Sequence, residues 1–154
     1  MATKSEVLIA LAGVDFKSLS TKELQSVYKE MQETGIHGMC FSPYLEGQGP
    51  GTIITEEQIR QRMEIIQPYT KWIRSFSCTE GNENIPRIAH AGGLKTLVGA
   101  WLGTDKRMNE KEIQNLIALA REGSVDIAAV GNEVMYRKEL SEEELLDYLY
   151  RVKH

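Results

Sequence analysis

The chain has 154 residues, 26% of them charged, with a formal net charge of −4. That length suits one ordinary domain core, and the lack of a basic balance argues against nucleic acid or an anionic membrane surface as partner. The apolar stretch over residues 7–14 is too short to span a bilayer and no clear cleavable signal surrounds it, so the sequence assigns no compartment and favours a cytoplasmic one over export.

Ser20, Thr21, Lys22 and Glu23 form a capping box, followed at helical spacing by Leu24, Val27, Tyr28 and Met31 and ended by Gly35. This predicts an extra N-terminal helix within an extension over residues 1–35, with residues 36–154 as the main unit. A first strand is predicted over 36–41, leading into a loop over 42–51 that is dense in turn formers. Thr55 with Gln58 opens the next helix, in which Ile59, Met63 and Ile66 share a face, and Pro68 ends it. The second strand is expected over 72–77, then a short helix around Ile85, Ile88 and Ala89 running to Gly92 and Gly93, then a third strand over 94–101. Asn109, with Glu112 three residues on, reads as the cap of a helix carrying Ile113, Leu116, Ile117 and Ala120 on one face and stopped by Gly123. Residues 125–130 are a short apolar run of the kind a buried parallel strand shows. Ser141 with Glu144 begins the last helix, with Leu145, Leu149 and Val152 inward and an acidic first turn that suits the helix dipole. Four strands, each followed by a helix, predict an α/β fold with a parallel sheet and right-handed crossovers.

The dipeptide Asn-Glu occurs three times, and context separates the copies. Asn109-Glu110 belongs to the helix cap just described. Asn82-Glu83 lies in a polar loop and is either a helix start or part of a site rim. Asn132-Glu133 directly follows the fourth strand, where a barrel fold places its chemistry, although strand ends also carry turn residues for packing reasons. Arg74 lies inside a strand, where a lone cation is costly unless paired, so a carboxylate partner such as Glu133 is expected. Tyr44, just past the first strand, offers an aromatic face and a polar tip; Trp101 closes the third strand as either a core or a stacking residue. Glu46, Gln48 and Asp105 are weaker loop candidates. Cys40 and Cys78 are expected to be buried and reduced. His37, His90 and His154 lack metal-site spacing, and Gly47, Gly49 and Gly51 lack the lysine and helix of a phosphate loop, so no metal or cofactor is predicted.

Four segments in order, Gly38-Met39-Cys40-Phe41-Ser42-Pro43-Tyr44, Ile73-Arg74-Ser75-Phe76, Gly93-Leu94-Lys95 to Trp101-Leu102, and Val130-Gly131-Asn132-Glu133-Val134, resemble glycoside hydrolase family 17. That family comprises β-1,3-glucanases and glucanosyltransferases built on a (β/α)8 barrel. The resemblance covers roughly residues 36–152 and implies the N-terminal half of such a TIM barrel. It implies that Glu133 is the acid/base, that Asn132 holds the 2-hydroxyl of the sugar at the cleavage point, and that Tyr44, Arg74, Trp101 and Glu83 belong to the substrate site. The family's nucleophile is a glutamate at the end of strand seven, and no position here matches it. A complete barrel needs about 250 residues, so this chain is expected to be inactive alone. A β-glucan oligosaccharide or polysaccharide is the expected ligand, and either self-association or a partner supplying the second half-barrel is expected to cover the open strand edges. The alternative is a non-catalytic glucan-binding or interaction module derived from that fold.

Overall fold

The computed structural model describes residues 13–154, so most of the apolar stretch that starts at Val7 lies outside the described residues. By its internal contacts the chain divides into two units, one reaching to Ile36 and the other running from His37 to His154. In the first, helix α1 (Thr21–Thr34) starts on the predicted capping box: Ser20 Oγ accepts from the Glu23 N–H, and the Glu23 carboxylate accepts from the Ser20 N–H at 2.8 Å.

The second unit carries the sheet. Strand β1 (Ile36–Cys40) precedes α2 (Glu56–Ile66), β2 (Thr70–Ser75) precedes α3 (Asn84–Ala91), β3 (Lys95–Ala100) precedes α4 (Lys106–Arg121), and β4 (Ile127–Val130) precedes α5 (Glu142–Lys153). The strands lie side by side in the order β1-β2-β3-β4 and run parallel. Register places Arg74 beside Leu97 and Leu97 beside Ile127, while Ser75, Val98 and Ala128 form the adjacent row. Alternation along each strand therefore sends two sets of side chains to opposite faces. Ile73, Ser75, Thr96, Val98 and Ala100 are buried. On the other face Trp72, Arg74 and Leu97 join His37, Met39 and Ile127 around a shallow concavity of about 230 Å³.

The buried face builds two apolar clusters. One joins Phe41 and Ile73 to Ile59 and Met63 of α2 and to Ile85, Ile88 and Ala89 of α3. The other joins Val98 and Ala100 to Ile113, Leu116 and Leu119 of α4 and to Tyr148 of α5. Burying each such aliphatic side chain contributes on the order of 1.5–3 kcal/mol, which makes these clusters the main support of the unit.

Four expectations are corrected. Helix α4 begins three residues before Asn109, because Asp105 is its cap and accepts from the N–H groups of Arg107 and Met108. Strand β2 ends at Ser75, so Phe76 and Ser77 lie in the following loop. In α5 the buried residue is Tyr148, whereas Leu149 is exposed, because the helix presents the neighbouring row of side chains to α4 and β4. Cys40 is exposed, because Phe41 takes the inward position at the end of β1; Cys78 is buried, and both are free thiols.

Candidate active site

Loops after β1, β2 and β3 enclose a cavity of about 520 Å³ beyond the carboxyl ends of these strands. Its walls include the rings of Phe41, Tyr44, Phe76 and Trp101, with polar groups from Thr79, Asn82, Asp105, Asn109 and Glu112. An apolar concavity with a few converging polar groups is the usual form of a ligand site. Its loops are held closely. Gly81 has φ +89°, and a Cβ there would sit 1.9 Å from the Ile54 carbonyl oxygen, so only glycine lets this loop pass under the segment that opens α2.

Beneath the cavity lies Glu112, 3% exposed. Its carboxylate accepts from Ser77 Oγ at 2.6 Å, the Cys78 N–H at 2.7 Å, Thr79 Oγ1 at 2.7 Å and the Trp101 N–H at 3.2 Å. Burial raises its pKa above the ordinary carboxylate range, and the four donors oppose that rise without cancelling it. The Cys78 thiol is likewise pushed up, first by burial and then by the nearby Glu112 and Glu83 carboxylates. Asn109 is no cap: its side chain is buried and bridges to both the N–H and the carbonyl of Gly103, each at 2.8 Å.

The loop after β4, which carries the Asn-Glu pair, reaches this cavity through Glu139, while Asn132 and Glu133 are not among its walls. Gly131 N–H still donates to the Ala100 carbonyl, after which the chain leaves the sheet. Asn132 Oδ1 accepts from Arg74 Nη2 at 2.8 Å. Glu133 is exposed and has φ +54°, a left-handed conformation that few non-glycine residues adopt. Val134, buried at 2% exposure, anchors the turn. Arg74 therefore pairs with the asparagine of the pair and not with the carboxylate expected from its charge. Its guanidinium also lies 4.7 Å from the Phe76 ring centroid, and its Nε is buried with no partner among the described residues.

The structure thus brings Tyr44 and Trp101 to one cavity and joins Arg74 to Asn132, with Glu133 alongside. Glu83 is the residue just before α3 and makes no side-chain cap; its neighbour Asn82 is the member of that pair that lines the cavity. Of the weaker candidates, Asp105 both caps α4 and lines the cavity, and Gln48 Oε1 accepts from Gln58 Nε2 of α2. Sequence reading missed Glu112 and Asn109 as site residues. Their signal was present: they fall at helical spacing with the buried Leu116 and Leu119, so they are polar residues on an apolar face. Among the described residues no group of three or more His, Cys, Asp or Glu side chains is arranged to hold a metal, and no helix is long and apolar enough to cross a membrane.

A parallel sheet of four strand–helix pairs with polar groups gathered beyond the strand ends defines an α/β fold of the barrel type. Residues 38–154 match the family model of the BtgE/BtgC glycoside hydrolase domain, and the chain belongs to that family. It is similar to the glucan 1,3-beta-glucosidase BGL2 of Candida albicans, at 26% identity over 59% of this chain and 31% of that protein. With the glucan 1,3-beta-glucosidase of Saccharomyces cerevisiae it shares 23% identity over 88% of this chain and 44% of the relative. Among solved structures, the β-1,3-glucanosyltransferase of Rhizomucor miehei, an active-site mutant in complex with laminaritriose, superposes with a TM-score of 0.64 at 21% identity, covering 79% of this chain and 45% of that one. A second structure of the glycoside hydrolase family 17 β-1,3-glucanosyltransferase from Rhizomucor miehei gives 0.63, at the same identity and coverage. The chain thus spans less than half the length of each of these relatives.

Proposed function

We propose that this chain supplies the acid/base half of a retaining β-1,3-glucan hydrolase or glucanosyltransferase site. The observation that carries this reading is the Asn132-Glu133 pair at the carboxyl end of β4, with Asn132 fixed by Arg74 beside a cavity walled by Tyr44 and Trp101. In this reading the rings of Tyr44 and Trp101 take the faces of the sugars. Glu133 protonates the glycosidic oxygen as its bond to the anomeric carbon breaks. A second carboxylate, from outside the four strands, forms the glycosyl ester from the opposite face. Glu133 then takes a proton from the water or acceptor hydroxyl that displaces that carboxylate. Asn132 bonds the 2-hydroxyl, an interaction that strengthens as positive charge develops on the ring. Arg74 supports the source of the second carboxylate: it is a half-buried cation that finds no acidic partner among the described residues, so an incoming carboxylate is its natural counter-ion.

The test joins this chain to a family-type second half carrying the strand-seven glutamate and follows cleavage of laminari-oligosaccharides. The chain alone is expected to give no turnover above background, since retaining hydrolysis needs two carboxyl groups about 5–5.5 Å apart. The joined protein is expected to turn over, with Glu133→Gln lowering the rate by about 10²- to 10⁴-fold and Asn132→Ala by less. A soluble, folded assembly with an intact nucleophile and no cleavage would overturn the acid/base role. Glu133 stands outside the walls of the cavity. That separation favours a glucan-binding module in the latter case, recognisable by retained oligosaccharide binding that Trp101→Ala abolishes and Glu133→Gln does not.

A further inference from the structure

One cation in the loop after β4 spans two loops, and no sequence pattern announces it. Arg137 donates from Nη2 to the Leu102 carbonyl at 2.8 Å, from Nη1 to the Asn132 carbonyl, and from Nε to Glu139 Oε2 at 2.8 Å. Its guanidinium carbon lies 4.5 Å from the centroid of the Trp101 ring, and its side chain is only 21% exposed. Its own N–H donates to the Glu133 carbonyl at 2.9 Å. The Asn132 carbonyl belongs to the peptide that leads into Glu133, so a donor fixed on it restrains the backbone angle that Glu133 holds in the left-handed region. Such conformations persist only where surrounding contacts over-determine them.

We infer that Arg137 is a positioning residue that sets the direction of Glu133 and the pose of the Trp101 ring together, with Glu139 fixing the plane of its guanidinium. A planar fork is needed because three acceptors and a ring are served at once. A lysine ammonium is a compact charge and cannot match that geometry. The coupling of the two loops stands on these contacts alone; its catalytic consequence rests on the proposed acid/base role of Glu133.

Two readouts test it. In hydrogen exchange on the 154-residue chain, Arg137→Ala is expected to speed exchange in both 131–138 and 101–103. The expected change is about tenfold to a hundredfold, as for losing one or two charge-assisted bonds. Exchange in α2 and α3 stays as it was, and Arg137→Lys restores less than half of the protection. Unchanged exchange, a change in one loop only, or full rescue by lysine would overturn the inference. In the chain joined to its second half, Arg137→Ala is expected to lower kcat for laminari-oligosaccharides and raise KM, since Glu133 and Trp101 answer to the same group. A purely structural loss would cut the active fraction and leave KM in place, as would a control such as Arg151→Ala, which breaks the ion pair to Glu110 of α4 and the contact with the Tyr148 ring, both on the helices. Wild-type kcat and KM in Arg137→Ala would overturn the inference. If the wild-type assembly itself cleaves nothing, the proposed function fails and the exchange result still decides the coupling of the loops.

Discussion

Glu112 stands in α4 with apolar neighbours, and its carboxylate reaches both the loop after β2 and the residue that follows β3. Truncation to alanine removes the acceptor for two backbone N–H groups and two hydroxyls. With each buried unsatisfied donor costing about 1–3 kcal/mol, Glu112→Ala is expected to destabilise the chain by about 2–4 kcal/mol in urea unfolding. Glu112→Gln keeps one oxygen for the N–H donors and turns its amide toward the hydroxyls, so it should lose less than half as much. The pH dependence follows from the raised pKa. The folded protein holds this proton more tightly than the unfolded chain, so the stability it contributes is full below the ordinary value of 4.5 and is lost as pH rises through the folded value. The stability difference between wild type and Glu112→Gln should therefore fall as pH rises above 4.5; a difference that grows with pH would contradict the assigned burial.

At the scale of elements, the start of α4 separates two readings of one local pattern. Asp105 is an exposed cap whose loss to alanine is expected to cost about 1 kcal/mol. Asn109, read from spacing as the cap, instead holds Gly103 from inside the helix. Its replacement by alanine leaves the half-buried N–H and carbonyl of Gly103 unpaired and a void where the buried amide stood, and is expected to cost more, about 2 kcal/mol. Equal costs in thermal unfolding would favour the spacing argument over the observed start. The same contrast explains what the sequence makes legible. Ser20 with Glu23, Thr55 with Gln58 and Ser141 with Glu144 were readable because a cap satisfies its donors within three residues. Asn109 with Glu112 imitates that spacing, yet its partners lie in other loops. Arg137 offers no periodicity at all, since two of its three acceptors are carbonyls brought close only by folding. The strand–helix alternation and the location of Asn132-Glu133 were legible because apolar runs and turn residues record them locally, whereas the carboxylate expected for Arg74 is replaced by the Asn132 amide.

For the whole molecule, the strand order leaves β1 and β4 as the outer strands of the sheet, and Ile127 on β4 is 48% exposed. Open strands and an apolar face favour pairing with another chain. Self-association rising with concentration is therefore expected in sedimentation, and Ile127→Lys should weaken it; a compact monomer at high concentration would count against pairing through these strands. The two apolar clusters carry a consequence for cooperativity. One is formed by the first two strand–helix pairs and the other mainly by the last two, and polar groups span them: Glu112 at the loop after β2, Asn115 Nδ2 on the Cys78 carbonyl at 2.6 Å, and the Arg87–Glu122 ion pair at 2.7 Å. The β2–β3 ladder joins the two clusters through the sheet and these polar links reinforce it, so weakening the links is expected to loosen the coupling between the melting of one cluster and of the other. With them cut, the β2–β3 ladder becomes the seam along which one half of the sheet, with its two helices, opens while the other stays closed.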